Sequence, residues 1–168
     1  MNVLHLQRTL QHPSEPAPVE GVKVRNYLGR QDIEPWLALR NRAFAGERLG
    51  VRRWQASDFE SEFLVKSWWR PERLWLAETE LPGGERQLVG TVALAMRGEG
   101  EAAVPVVHWL AVLPGWRRRG LGRLLVQTLE AYCWRHGYRE IRLETHAQWQ
   151  AAARLYEALG YEPVPDDR

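Results

Sequence analysis

Apolar residues recur at every second position in some stretches of this 168-residue chain and at every third or fourth in others, and the switch between periods predicts its elements. Val22, Val24 and Asn26 alternate with Lys23, Arg25 and Tyr27, which predicts a short strand before a turn at Gly29. A helical stripe of Trp36, Leu37, Leu39, Ala43 and Phe44 follows, with Asp32 placed to cap it and Pro35 in the permissive first turn. Ser57-Asp58-Phe59-Glu60 reads as a capping box that opens a second helix before Phe63 and Leu64. Residues 74–78 and 88–96 read as antiparallel strands joined through Pro82-Gly83-Gly84, and Gly98 and Gly100 turn the chain into a third strand.

That third strand, residues 104–112, carries Val106, Leu110 and Val112 on one face and Val107, Trp109 and Ala111 on the other, so both faces need cover and the strand is central. Leu121, Leu124, Leu125, Leu129, Tyr132 and Cys133 then keep helical spacing up to Gly137. Ile141, Leu143 and Thr145 predict another strand, which the crossover rule sets parallel to the third. Trp149, Ala152, Ala153, Tyr156 and Leu159 predict a last helix, stopped at Gly160 before a strand-like end at residues 161–164. Pro13, Pro16 and Pro18 among polar residues predict an extended, poorly ordered lead-in over residues 1–20, leaving 21–168 as one domain.

Composition narrows the classes. An apolar fraction of 45% suits one well-filled core. The net charge is only +2, too even for a general nucleic-acid or membrane binder, yet Lys23 and Lys66 are the sole lysines, so the cations are nearly all arginines, the better fork for phosphate or carboxylate. Cys133 is alone, which excludes an internal disulfide and a cysteine zinc cluster. No apolar run approaches the ~20 residues that span a bilayer, and the N-terminus lacks a signal peptide's apolar block, so a cytoplasmic location is the expectation.

The segment that carries chemistry is residues 112–123, Val-Leu-Pro-Gly-Trp-Arg-Arg-Arg-Gly-Leu-Gly-Arg. A phosphate needs closely approaching backbone N–H groups, and two glycines at a helix start supply them with a favourable dipole. Gly115 and Gly120 have Walker spacing, but Leu121-Gly122 stand where Lys and Ser or Thr are required. Gly120-Leu121-Gly122 opens a dinucleotide fingerprint, yet Leu125 takes the place of its third glycine. Taken by itself the loop favours a plain strand-to-helix connection whose arginines are solvated.

Here the residues resemble the GNAT superfamily of N-acetyltransferases, whose pyrophosphate loop Arg/Gln-x-x-Gly-x-Gly/Ala is matched by Arg117, Gly120 and Gly122. Leu155-Tyr156-Glu157-Ala158-Leu159-Gly160-Tyr161 resembles the family's C-terminal helix-to-strand motif. The resemblance implies an α/β fold: a mixed sheet with an antiparallel N-terminal meander, a central parallel strand pair and flanking helices. It implies acetyl-CoA as acyl donor and no metal. Main-chain groups of Arg117, Arg118, Arg119, Gly120, Leu121, Gly122 and Arg123 would then hold the pyrophosphate, and the backbone at Leu110, Ala111 and Val112 the pantetheine arm. A primary amine of a small molecule or peptide would attack directly in a ternary complex.

Acyl transfer needs a neutral nucleophile, a polarised carbonyl and a proton for the thiolate. His108, read on the face of Leu110 and Val112, is a candidate base or a hydrogen-bonded core residue; the resemblance matches it to a histidine of the aralkylamine N-acetyltransferase branch, with Val106 in place of a second one. Tyr156 is a core aromatic or, by the resemblance, the acid that protonates the thiolate. Glu144 is a second candidate base, Cys133 a structural thiol, and Trp149 stands where the family often has a cofactor-binding Asn. Arg40, Arg42, Arg48, Arg52 and Arg53 suggest an anionic acceptor or a solvated face, and Trp54, Trp68, Trp69 and Trp75 an aromatic pocket or core. Two rival readings stay open, a catalytically weak CoA-binding sensor and an arginine-rich nucleic-acid-binding domain, as does a homodimer through the thin C-terminal edge.

Overall fold

The computed structural model describes residues 3–45 and 52–165. Seven strands form one sheet in the order β2-β3-β4-β5-β6-β1-β7, where β1 is Val3–Thr9, β2 Val22–Asn26, β3 Leu74–Glu80, β4 Arg86–Arg97, β5 Val104–Val112, β6 Glu140–His146 and β7 Glu162–Pro163. Every neighbouring pair is antiparallel except β5 and β6, the pair separated by a helical crossover. Helices α1 (Ile33–Phe44) and α2 (Ala56–Phe59, continued as a π-turn through Leu64) precede the meander, α3 (Leu121–Arg135) makes the crossover, and α4 (Gln150–Ala158) follows β6.

The strand faces explain the layers. Thr91 accepts from the Trp36 indole of α1 at 3.0 Å, so its face of β4 meets α1. The next residue along, Gly90, faces α3 so closely that a Cβ would lie 3.0 Å from Leu125 and 3.1 Å from Leu121. α1 thus covers one face and α3 the other, and β4 and β5 are buried on both sides, as expected of central strands.

Three sequence expectations change. The described part of the expected lead-in, residues 3–20, is not poorly ordered. Leu6 and Leu10 are buried, β1 pairs with β6 over its whole length from Val3↔His146 to Thr9↔Glu140, and the proline segment behind it is pinned to α3 by Ala17 N–H donating to Gln127 at 3.1 Å. The alternation of Leu4 and Leu6 was the available signal, outweighed in the sequence by the prolines behind it. Asp32 does not cap α1, because its carboxylate is drawn to Arg25 at 2.8 Å and to the Leu28 N–H at 2.8 Å. The box before α2 is shifted two residues back, with Asp58 accepting from the N–H of Gln55 at 2.7 Å.

Candidate active site

β5 is interrupted where the sequence reads as plain alternation. Ala93 pairs with His108 and Thr91 with Ala111, so one extra residue is inserted around Trp109, which takes a left-handed φ of 50°. The bulge resets the faces. His108 shares the α1 side with Ala111, while Val112, opposite Gly90, looks toward α3; His108 is therefore not on the face of Val112 as the plain alternation suggests. A non-glycine residue held at such a φ costs about 1–3 kcal/mol and persists only where its surroundings impose it. The Trp109 ring packs there against Trp54, the centroids 4.6 Å apart.

The bulge coincides with a parting of strands. β5 and β6 pair only at Val106↔Arg142 and Val107↔Leu143, and beyond these they diverge. A cavity of about 890 Å³ occupies the gap, lined by residues 107–112 of β5, Glu144 and Thr145 of β6, the start of α3 and the inner side of α4. At its α3 end Gly120 is left-handed with φ 83°, and the first helical bond is Leu124 N–H to Gly120 O at 3.0 Å. Among the described residues the N–H groups of Arg118 to Arg123 have no protein acceptor, which leaves a row of donors at a helix N-terminus open to an anion. Gly122 meets a different demand. A Cβ there would lie 2.9 Å from a side-chain methyl of Leu155 of α4, so any larger residue makes that side chain shift.

The expected residues are distributed as follows. Leu110, Ala111, Val112, Arg117, Arg118, Gly120, Leu121, Gly122 and Arg123 all line the cavity; Arg119 does not, and its guanidinium lies 4.6 Å over the Trp116 ring. Arg117 is spent on the protein, donating to Val112 O at 3.1 Å and Ala43 O at 2.8 Å, so it braces the loop against α1. Tyr156 projects into the cavity from α4 and is buried, and burial pushes its hydroxyl pKa above the usual phenol range. His108 also lines it; burial first, then the Lys66 ammonium, lower its pKa to about 4 against a small opposing effect of Glu144. Glu144 reaches the cavity from an exposed position, engaged by Arg97 at 2.9 Å and His5 at 3.6 Å.

Other candidates fall away from the gap. Cys133 is sealed in the core, where burial and the nearby Glu130 push its thiol to about 12. Of the arginines proposed for an acceptor, Arg48 lies outside the described residues, Arg42 and Arg53 are exposed, Arg52 pairs with Asp58 at 2.6 Å, and Arg40 is buried behind the cavity wall. Trp54 and Trp75 are buried in the core, Trp68 and Trp69 pack against it, and none of the four lines the gap. The aromatic lining comes instead from Phe44, Trp109, Trp116 and Trp149, residues scattered over four segments that no single spacing connects. Among the described residues no three metal-binding side chains come together, and no helix is long and apolar enough to cross a membrane.

Known proteins share this fold. The model of the Acetyltransferase (GNAT) family matches residues 25–161. A mycothiol acetyltransferase of Thermobispora bispora is 32% identical over 161 residues, covering 93% of this chain but 52% of its own length, so the chain spans about half the length of the curated relatives it matches. A GCN5-related N-acetyltransferase of Sphaerobacter thermophilus superposes with a TM-score of 0.76 at 24% identity, over 96% of this chain and 48% of that one. An aminoglycoside N-acetyltransferase in complex with CoA does so at 0.62 and 19% identity, over 92% and 95%. Since the family match runs from within β2 to beyond α4 and takes in every wall of the cavity, the chain belongs to the acetyltransferase (GNAT) family.

Proposed function

We propose that the chain is an acetyl-CoA-dependent N-acetyltransferase that acts on a primary amine by direct attack in a ternary complex. The observation that carries this reading is the continuity of one cavity from the open N–H row at Arg118–Arg123, along the unpaired edge of β5, to the buried hydroxyl of Tyr156. The N–H row and helix dipole suit a pyrophosphate, with Arg118 and Arg123 adding charge at its flanks. Residues 108–112 have lost β6 as a partner, so their main chain is available to an extended arm that pairs like an added strand. A backbone N–H at the bulge would then polarise the thioester carbonyl.

Each candidate side chain has a role consistent with its surroundings. Tyr156, held neutral by burial, keeps its proton until the departing thiolate can take it. His108 is uncharged at neutral pH, so it receives the proton of the attacking amine only in passing, handing it to solvent on the side of Glu144. The mycothiol acetyltransferase relatives favour a small-molecule acceptor over a peptide. Calorimetric titration with acetyl-CoA, followed by a free-thiol assay across an amine panel, tests the reading. Tyr156→Phe should lower turnover by about 10²-fold while acetyl-CoA affinity stays within about twofold. An unchanged turnover removes the acid role, and absence of acetyl-CoA binding removes the whole assignment; binding without turnover on any amine favours a CoA-binding sensor instead.

A further inference from the structure

Buried polar atoms in folded chains are paired, and the exceptions ask for a partner from elsewhere. Among the described residues five buried side-chain nitrogens have none: Arg40 Nε, Trp109 Nε1, Trp149 Nε1 and both ring nitrogens of His146. They are not scattered. The Arg40 guanidinium carbon lies 4.9 Å from the Trp109 centroid and 5.6 Å from that of Phe44. Phe44 in turn meets Trp109 at 6.1 Å and Trp149 at 5.9 Å, and His146 lies 6.0 Å from Trp149. All four orphan-bearing side chains belong to one connected cluster, and Phe44, Trp109 and Trp149 line the cavity.

The chemistry of this cluster is one-sided. Arginine Nε and indole nitrogens only donate, and a neutral imidazole adds one donor and one acceptor, so hydrogens outnumber lone pairs. Charge is one-sided too. Arg40 is 1% exposed, and its recorded hydrogen bonds go to neutral oxygens, Arg52 O at 2.7 Å and Asn41 Oδ1 at 3.1 Å, with no carboxylate paired to it among the described residues. Burial, then the charge of Arg52, lowers its pKa to about 10 against an opposing effect of Asp58, which leaves it a cation at neutral pH. The nearby carboxylate, Asp58, is already paired with Arg52 at 2.6 Å, and a buried cation whose neighbouring carboxylate is taken favours a ligand that brings another. Glu144, the carboxylate on the cavity wall, is already engaged by Arg97.

We propose that this end of the cavity receives a carboxylate carried by the acceptor, so that the amine acetylated is of amino-acid type. The indole N–H groups of Trp109 and Trp149 donate to the carboxylate oxygens, Phe44 and the indole faces hold the apolar part beside it, and Arg40 supplies a positive field from behind Trp109. The same field disfavours polycationic amines. This inference deepens the N-acetyltransferase reading and rests on it for the role of the bound amine, while its binding test stands apart from turnover.

The test uses the full chain saturated with CoA and two matched ligand pairs that differ only in the carboxylate, phenylalanine with phenethylamine and leucine with isoamylamine, plus spermidine. Calorimetry should show at least one amino acid binding about 10-fold or more tighter than its decarboxylated partner and than spermidine. Trp149→Phe, which keeps a ring and deletes the N–H, should shrink that preference, and Arg40→Met should shrink it too. Equal or tighter binding of the decarboxylated amines or spermidine, no binding of any ligand, or a preference unchanged in both variants overturns the proposal. With acetyl-CoA supplied in parallel, a carboxylate preference without acetyl transfer sustains the pocket and removes the transferase reading. Transfer without the preference does the reverse.

Discussion

Two buried charges on opposite sides of this molecule are treated in opposite ways. Glu130 of α3, fully buried, accepts from Arg8 at 2.6 Å, from the Tyr161 hydroxyl at 3.0 Å and from Ser14 at 3.3 Å, so β1, the proline segment, α3 and the C-terminal stretch are tied at one carboxylate. Arg40 of α1, equally hidden, meets aromatic faces and neutral oxygens and keeps one nitrogen unpaired. A saturated network has nothing left to offer a ligand and serves to hold elements together; an unsaturated one keeps binding capacity in reserve. The contrast separates scaffold from site without reference to any relative.

The strongest way to break the contrast is Arg8→Met. It leaves the Glu130 carboxylate buried with only hydroxyl donors, which should cost about 3–5 kcal/mol in urea unfolding, while acetyl-CoA affinity below the transition stays unchanged. Adding Glu130→Leu should recover part of the loss, since the pair is then absent rather than broken. A loss below about 1 kcal/mol for the single variant would show that the network is not holding β1.

On the site side, Gly122→Val tests whether the helix approach at Leu155 and the N–H row are one construction. With 2.9 Å between a Cβ and the Leu155 methyl, valine must displace that side chain of α4, for about 1–3 kcal/mol of stability, and its branches screen the donors below. Acetyl-CoA affinity measured by calorimetry should fall with it. Retained affinity would place the pyrophosphate elsewhere.

A pH titration sharpens the comparison further. His108 has a folded pKa of about 4 against about 6.5 unfolded, so between these values the unfolded chain binds the extra proton. Its contribution is complete above pH 6.5 and is lost as pH falls, amounting to about 2 kcal/mol by pH 5. Unfolding free energies measured at pH 7 and pH 5 should show that slope, and His108→Gln should remove it. An unaltered slope in the variant would assign the titration to other groups.

How far the sequence carries can be judged at particular residues. The strand and helix periods from Val22 to Leu159 are local, and so is the glycine loop that opens α3, because its residue types stand in a row; both are legible in the sequence. What eluded the pattern is non-local. The bulge at Trp109 lies in the register with β4 and packs its ring on Trp54, so plain alternation puts His108 on the wrong face. β1 is a strand because β6 offers it an edge 130 or so residues away, a fact that proline-rich composition hides. The aromatic lining assembles Phe44, Trp109 and Trp149 across a gap made only by the parting of β5 from β6.

The smallest expected effect is the most telling, because it sets Arg40→Met directly beside Arg8→Met. Methionine removes a desolvated cation that no carboxylate contacts directly, and that gain offsets the lost bonds to Arg52 O and Asn41 and the lost stacking on Trp54 at 4.3 Å. The tie between α1 and Trp54 survives, since Asn41 still donates to Trp54 O at 3.0 Å and accepts from its N–H at 2.8 Å. Stability should therefore stay within about 1 kcal/mol of the parent chain in the same urea experiment. Should Arg40→Met cost as much as Arg8→Met, the two charges would be alike after all, and the unpaired nitrogen would be a tolerated flaw of packing rather than capacity held for a ligand.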